Sequence, residues 1–148
     1  MKAFTSVPVR QVVLTRVDAD GADQQVTFQV QALTPGYTDL VQLWYPPKPK
    51  EYVDTKPVYT QEGREFHAGM VICILLAKAL RDADPTQIDT PEPPKGAPWE
   101  AWDAYAHAIQ AEFVAANLVS GDINALVKAM NLANQGAGRP KKAGVGVG

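Results

Sequence analysis

Apolar and polar residues alternate with a period of two in the N-terminal part of the chain. The alternation is strict across 26–32, where threonine and glutamine separate Val26, Phe28 and Val30. A period of two is typical of a β-strand with one buried side and one solvent-facing side. A β-branched segment precedes it, and the Asp-Ala-Asp-Gly sequence between the two has turn chemistry. The pattern predicts an antiparallel β-hairpin over 10–33, whose apolar face must pack on another element because two strands alone are marginal in water.

Helical spacings of apolar side chains replace this alternation in the rest of the chain. Thr34 and Pro35 have the chemistry of an N-cap and a first helical residue, although Gly36 also allows a turn with an extended arm. A later segment is apolar on nearly every side, as expected for a central helix surrounded by other elements. Another begins near Pro98 with Trp99, carries an apolar stripe, and is separated from the last helix by a Ser-Gly-Asp sequence. The predicted helices span about 35–45, 62–83, 98–119 and 121–133.

These elements define one domain and one tail. A single α+β domain over 1–133 is predicted, with the hairpin followed by a bundle of three to four helices. Its length is sufficient for one hydrophobic core. The sequence after residue 133 is rich in glycine and carries three basic residues. Such a composition cannot form a core, so 134–148 is predicted to be a flexible, disordered tail.

Composition excludes several classes of function. The formal net charge of the 148 residues is −2, which provides no strong field to attract nucleic acid or an anionic membrane. The longest apolar run, 68–77, is too short to cross a bilayer and is better explained as a buried helix. Cys73 is the single cysteine, so the chain has neither an intrachain disulfide nor a cysteine-based metal cage. A protein of a reducing cytoplasm, without nucleic-acid or membrane partners, is predicted.

The residues with catalytic or metal-binding potential are scattered. His67 and His107 are the only histidines, and each stands alone in its segment. Asp103 and His107 could share a helix face, but a useful metal site needs three or four ligands. Cys73 lies in the most apolar helix, where burial would raise the pKa of its thiol and suppress its reactivity. No catalytic residue, cofactor or metal site is therefore predicted, and an enzyme is not expected.

Aromatic residues are the remaining candidates for function. Trp99 and Trp102 could form a partner-binding hot spot, since aromatic side chains dominate such sites, or they could cover the central helix as core. Three tyrosines flank or occupy the proline-rich segment 46–62 and could likewise line a contact surface or pack on their own domain. The candidate partner-binding residues are Trp44, Tyr45, Tyr52, Tyr59, Trp99 and Trp102.

With these features, the chain resembles the tail assembly chaperones of long-tailed bacteriophages. The resemblance covers about 10–133 and lies in the strand that enters Leu33-Thr-Pro-Gly36, the apolar middle helix, the tryptophan-bearing third helix, and Leu118-Val-Ser-Gly-Asp-Ile-Asn-Ala-Leu-Val127. It implies a small α+β or mainly helical protein of the host cytoplasm that binds the tape measure protein. It also implies that the chain helps tail tube protein to polymerise, and that it is absent from the mature virion.

A second hypothesis comes from a different class of protein. A structural virion component, such as a head–tail completion or minor tail protein, could use the hairpin and the terminal arms for strand exchange between neighbours in a ring. A homo-oligomer would fit this use. Presence in purified particles separates the two hypotheses, because a chaperone is expected to be missing from them.

Overall fold

The computed structural model describes residues 1–136 and has an α+β fold, as predicted. An N-terminal hairpin is followed by four helices and a second, very short hairpin. The elements are β1 (Val9–Val17), β2 (Asp23–Gln31), α1 (Tyr37–Trp44), β3 (Glu51–Val53), β4 (Lys56–Val58), α2 (Gln61–Ala83), α3 (Trp99–Ala115) and α4 (Ser120–Asn134), with a single 3₁₀ turn at Pro85–Gln87. The predicted tail lies almost entirely outside the described residues.

The first hairpin packs on the helices through one face, and it is more exposed towards its tip than at its base. β1 and β2 are antiparallel, and Val12 lies opposite Phe28 in their register. Val30 is fully buried, Phe28 is partly buried, and Val26 near the tip is 51% exposed. The inward face of β2 contacts α2, and α4 packs against both strands. The apolar face predicted from the alternation is therefore the face that meets the helices, as two isolated strands require.

α2 is the centre of the fold, because it contacts α1, β2, α3 and α4. Nearly every side chain in its C-terminal half is buried, from Met70 to Leu80. Thr60 caps its first turn by accepting a hydrogen bond from the Gly63 N–H at 3.0 Å. Burial on nearly all sides is the physical reason that this C-terminal part of the helix lacks a polar face, and the prediction of a central helix is confirmed.

The start of α1 differs from the N-cap predicted at Thr34. The Tyr37 N–H donates to the Thr34 carbonyl at 3.0 Å, and Gly36 has a φ of 82°. Proline followed by glycine at positive φ is the chemistry of a type II turn, in which Pro35 and Gly36 are the central residues. Gly36 is then the N-cap of α1 and supplies no side-chain hydrogen bond. A turn therefore precedes the predicted helix, and the chain after it is helical and not an extended arm.

The third helix ends four residues earlier than predicted, at Ala115 instead of 119. Asn117 adopts a left-handed conformation, with a φ of 60°. Its N–H donates to the Val114 carbonyl at 2.9 Å, and the Leu118 N–H donates to the Phe113 carbonyl at 3.1 Å. This pair of bonds is a Schellman motif, which asparagine can complete because it tolerates the left-handed region. The helix therefore stops before the Ser-Gly-Asp sequence.

α4 begins with a carboxylate that binds two different elements. The Val119 N–H donates to Asp122 Oδ2 at 2.9 Å, which satisfies one of the free amides at the helix start. Arg16 of β1 forms an ion pair with the same carboxylate and donates to the Asn117 carbonyl at 2.7 Å. Through these bonds, the corner between α3 and α4 is attached to the hairpin.

The proline-rich connector contains the short hairpin β3–β4, which the sequence pattern did not predict. Its two turn residues, Asp54 and Thr55, have φ values of 50° and 66°. Two consecutive residues at positive φ define a type I′ turn, which usually contains asparagine or glycine. A threonine at positive φ is uncommon because its side chain is β-branched. The absence of the usual turn residues explains why this hairpin gave no sequence signal.

Candidate protein-binding surfaces

Four of the six predicted aromatic residues meet in one group, the aromatic cluster, which consists of Trp44, Tyr45, Trp99 and Trp102. The rings of Trp44 and Trp102 are stacked, with centroids 5.1 Å apart and an interplanar angle of 14°. Tyr45 lies between Trp99 and His67, at centroid distances of 5.0 and 4.5 Å. The cluster joins the end of α1 to the start of α3, two segments that are distant in sequence, and Tyr45 links it to α2 through His67.

The interior half of this cluster is core. Trp102 and Tyr45 are each 1% exposed, which agrees with the core-packing alternative considered for Trp102. The Tyr45 hydroxyl donates to Asp103 Oδ1 at 2.6 Å. Burial is the larger cause, and the bond to the Asp103 carboxylate the second, of a pKa of Tyr45 that lies far above its usual value. These two residues can support a surface from below but cannot contact a partner directly.

The outer half of the cluster is partly open to solvent. Trp44 and Trp99 are only partly buried against the core. Trp99 donates its indole N–H to the Pro46 carbonyl at 2.7 Å, and the ammonium of Lys48 lies 3.8 Å from the centre of its ring. This cation–π contact covers one face of Trp99. Of the cluster, Trp44 and the free edge of Trp99 are the parts that a partner could reach.

The other two predicted aromatic residues do not join the cluster. Tyr52 lies on β3 and is 67% exposed. Tyr59 is partly buried, and the guanidinium of Arg64 stacks 4.9 Å from its ring centre. The six candidates are thus divided among core, partly covered surface and an exposed hairpin, and they do not form one continuous surface.

A cleft of about 360 Å³ borders the cluster between α1 and the loop that precedes α3. Its walls include Trp44, Leu40 and Lys78, and Glu92 lies at its side. The hydroxyl of Tyr37 donates to Glu92 Oε1 at 2.7 Å. Burial, together with this carboxylate, raises the pKa of Tyr37 far above its usual value, so the hydroxyl remains protonated. One side of the cleft is therefore fixed by a hydrogen bond from the neutral Tyr37 hydroxyl to the Glu92 carboxylate.

Glu112 of α3 anchors the loop between α2 and α3. Its two carboxylate oxygens accept hydrogen bonds from the backbone N–H groups of Asp89 and Thr90, both at 2.9 Å. The Thr90 hydroxyl adds a third bond at 2.6 Å. Burial alone would raise the pKa of Glu112, but these bonds and the nearby Arg81 outweigh it and lower the pKa.

This arrangement predicts a loss of stability in acid. A carboxyl whose pKa is lower in the folded state stabilises the fold above its usual pKa of 4.5, and the stabilisation is lost as the pH falls through the lowered value. We expect Glu112→Gln to lower the urea midpoint at pH 7, and the difference from the wild type to shrink below pH 4.5. Urea titrations at pH 7, 4 and 3 measure this. A difference that stays constant over this range would show that the charge of Glu112 contributes nothing.

A larger apolar groove lies on the opposite side of α2, between α2, α3 and α4. We call it the helical groove. Its volume is about 460 Å³. The exposed fractions of its apolar residues are 56% for Phe66, 37% for Ile72, 67% for Val114 and 59% for Val119. The groove floor also contains Met70, Cys73, Phe113, Leu118, Ile123 and Val127, and its polar lining consists of Glu65, Gln110, Ser120 and Asn124.

The helical groove was not predicted from the sequence. The only signal was the apolar character of α2, which was interpreted as burial on every side. In the structure α2 is mostly surrounded from Met70 to Leu80, but Phe66 and Ile72 are exposed and line the groove. Val119 lies outside any helix, so no periodicity could identify it. An apolar groove between helices is the type of surface that receives an apolar segment of a partner.

Two of the residues with catalytic potential, His67 and Asp103, both contact Tyr45. Burial raises the pKa of Cys73 to about 11, as expected for an unreactive thiol. His107 Nε2 lies 3.7 Å from Asp103 Oδ1 in a partly exposed pair. Burial lowers the pKa of His67. Within residues 1–136, no three histidine, cysteine, aspartate or glutamate side chains are grouped as metal ligands.

None of the helices among residues 1–136 combines the length and the apolar character that a membrane span requires.

Comparison of the whole chain with protein-family models, with curated proteins and with solved structures gives no match.

Proposed function

We propose that this chain is a non-enzymatic binding protein, and that the helical groove receives an apolar segment of its partner. The observation that carries the proposal is the exposure of large apolar side chains around the groove, among them Phe66 and Val114. Exposing them to water is unfavourable by about 25 cal/mol per Å² of apolar area, so a partner that covers them gains that free energy.

The particular binding protein that we propose is a tail assembly chaperone of a long-tailed bacteriophage. Its partner is then the tape measure protein, and its role is to keep that protein soluble while tail tube protein polymerises around it. The proposal rests on the sequence resemblance over about 10–133 together with the apolar groove. It places the chain in the host cytoplasm during assembly and not in the mature virion.

Co-expression with the tape measure protein of the same phage tests this assignment. We expect a soluble complex that is recovered by pull-down on this chain, and an insoluble tape measure protein when the chain is omitted. A partner that is equally insoluble with and without the chain would refute the chaperone function.

A matched pair of surface variants tests whether the groove is the binding site. Val114 and Leu43 are exposed apolar residues in the last turns of α3 and α1, with exposed fractions of 67% and 73%. Val114→Lys introduces a charge into the groove, and we expect it to weaken tape measure binding at least about tenfold, since a charge buried without a partner is costly. Leu43→Lys changes a site outside the groove lining and should leave the affinity within about twofold. Quantitative pull-down after co-expression, in which the tape measure protein stays soluble only while it is bound, measures both.

The two variants are comparable in their effect on the fold. Both positions are exposed, and lysine near a helix C-terminus interacts favourably with the helix dipole. We expect both to keep the wild-type urea midpoint, because exposed substitutions usually change stability by less than about 0.5 kcal/mol. Equal weakening by the two variants would exclude the helical groove as the binding site.

A structural virion component is the second candidate, and the outer edge of β1 favours it. This edge is solvent-exposed along Gln11, Val13 and Thr15, and a free strand edge is a site at which neighbouring subunits can join. Mass spectrometry of purified particles distinguishes the two functions. Fixed copies of the chain in the particle support the structural component, and its absence supports the chaperone.

A further inference from the structure

The two edges of the β1–β2 hairpin can be assigned from its hydrogen bonds. The Ala32 N–H donates to the Pro8 carbonyl at 2.9 Å, and the register continues from that pair. Bonded and non-bonded pairs alternate in an antiparallel ladder. The even-numbered residues of β1 therefore bond to β2, while the odd-numbered residues direct their N–H and C=O groups away from the hairpin. The outward-directed residues of β1 are Val9, Gln11, Val13, Thr15 and Val17.

The outer edge of β2 is covered by a side chain. The Gln29 N–H donates to Gln87 Oε1 at 2.8 Å, and Gln87 Nε2 donates back to the Gln29 carbonyl at 2.9 Å. The amide of Gln87 thus pairs with this edge as a neighbouring strand would. It also donates to the Leu80 carbonyl at 2.8 Å, which fixes it to the end of α2. No second strand can add at Gln29 without displacing this amide.

The outer edge of β1 has no such cover in the described part of the chain. Across residues 1–136, no hydrogen bond uses the outward N–H or C=O groups of Gln11, Val13 or Thr15. The side chains of these residues are exposed, 50% in the case of Val13. Proteins usually protect a free edge with a proline, a lysine, a bulge or a very short strand. β1 spans nine residues and contains neither proline nor lysine, and its two charged residues, Arg10 and Arg16, lie on the face opposite to Val13.

We propose that this edge pairs with the same edge of a second copy of the chain, which produces a four-stranded antiparallel sheet across a two-fold axis. An antiparallel pairing centred on Val13 places Gln11 of each copy opposite Thr15 of the other. The outward N–H and C=O groups of one copy then face those of the other along the whole strand, and they can form up to about ten backbone hydrogen bonds. The side chains of the outward-directed residues of β1 all lie on one face of the strand, and none of them is charged. The pairing therefore brings no like charges together on that face.

The charges in the segments that flank β1 favour a second copy of the chain as the partner of this edge. In this pairing, the arm that precedes β1 in one copy runs beside the hairpin turn of the other. The arm, residues 1–8, carries Lys2 and no carboxylate, whereas the turn carries Asp18, Asp20 and Asp23. On the opposite face of the strand, the register places Arg10 of each copy beside Arg16 of the other, and the charge of Arg16 is already paired with Asp122 of its own chain.

A proline placed on either edge of the hairpin tests the pairing. Val13 and Thr27 are cross-strand partners, and both direct their N–H groups outward. Val13→Pro removes an outward N–H from the open edge in both copies and blocks close approach. Thr27→Pro makes the same change on the other edge. In sedimentation velocity over a concentration series of the full chain, we expect the wild type and Thr27→Pro to dimerise and Val13→Pro to associate at least about tenfold more weakly.

Charged variants keep the test decisive if proline disturbs the hairpin. Val13→Lys and Val13→Glu each place like charges opposite one another in a dimer centred on this residue, and we expect both to be mainly monomeric. Mixing them pairs opposite charges and should restore the dimer, which only pairing between copies of the edge explains. A wild-type chain that remains monomeric, or a mixture that fails to associate, would overturn the proposal. The pairing does not depend on what occupies the helical groove, so the outcome is independent of the tape measure assay.

Discussion

Replacing Trp102 by alanine should lower the free energy of unfolding by about 3–5 kcal/mol, the usual cost of deleting a large buried aromatic side chain. Trp102 is 1% exposed, stacks on Trp44 at 5.1 Å, and meets Tyr105 edge-to-face at 5.9 Å. Removing it leaves a cavity between α1, α2 and α3 that the surrounding helices can fill only in part. Chemical denaturation monitored by far-UV circular dichroism measures the change.

Trp102→Phe is the control for this substitution. The indole N–H of Trp102 has no acceptor within the part of the chain that the structure describes, and phenylalanine removes this buried donor while keeping an aromatic ring. We expect a loss below about 2 kcal/mol, since part of the lost packing is offset by removal of the unsatisfied group. A loss below about 1 kcal/mol for the alanine variant would contradict the assignment of Trp102 to the core.

Replacing Arg81 by methionine should cost about 2–4 kcal/mol, because charged hydrogen bonds are lost and their partners remain partly buried. One nitrogen of its guanidinium donates to the Tyr105 hydroxyl at 2.7 Å, and another donates to the Thr90 carbonyl. Glu92 Oε2 lies 4.0 Å away, and the Arg81 side chain is 19% exposed. Methionine keeps the apolar stem, so the loss reports the charge and its bonds.

Lys78→Met is the matched control on the same helix. Lys78 forms a partly exposed pair with Asp82, at 3.3 Å, and pairs of this type contribute about 0.3–0.5 kcal/mol. Hydrogen exchange should also show faster exchange of the Thr90 amide in Arg81→Met, because the loop loses its anchor to α2. Equal destabilisation by the two variants would show that the bonds of Arg81 to Tyr105 and to the loop contribute no more than a surface pair.

The hairpin and the number of helices could be predicted because each depends on short-range patterns. The period of two around Phe28 and the apolar surface of α2 are properties of consecutive residues, and the structure has the expected elements in the expected order. The ends of the helices were predicted less accurately. Gly36 begins α1 in place of Thr34, and Asn117 ends α3, because both residues adopt positive φ. Local backbone conformation, which depends on a few hydrogen bonds, decides such boundaries.

For the candidate binding residues, the prediction and the structure differ in which side chains are exposed. Sequence reasoning selected aromatic residues by type, and two of the six, Tyr45 and Trp102, are in the core. The residues around the helical groove, among them Val114 and Val119, carry no distinguishing signal in the sequence. They become a surface only because α3 and α4 meet at Asn117 and leave one side of α2 uncovered. Exposure depends on which helix faces are paired, and that pairing is a tertiary property.

The sequence by itself determined the α+β class, the order of the long hairpin and the four helices, and the central position of α2, because hydrophobic periodicity and turn chemistry act over a few neighbouring residues. The tertiary structure decided which apolar residues are buried and which remain open. Gln87 covers one edge of the hairpin from 58 residues away, while the edge at Val13 remains free. Contacts between distant residues give no local pattern, so the helical groove and the open edge emerge only when the chain is folded.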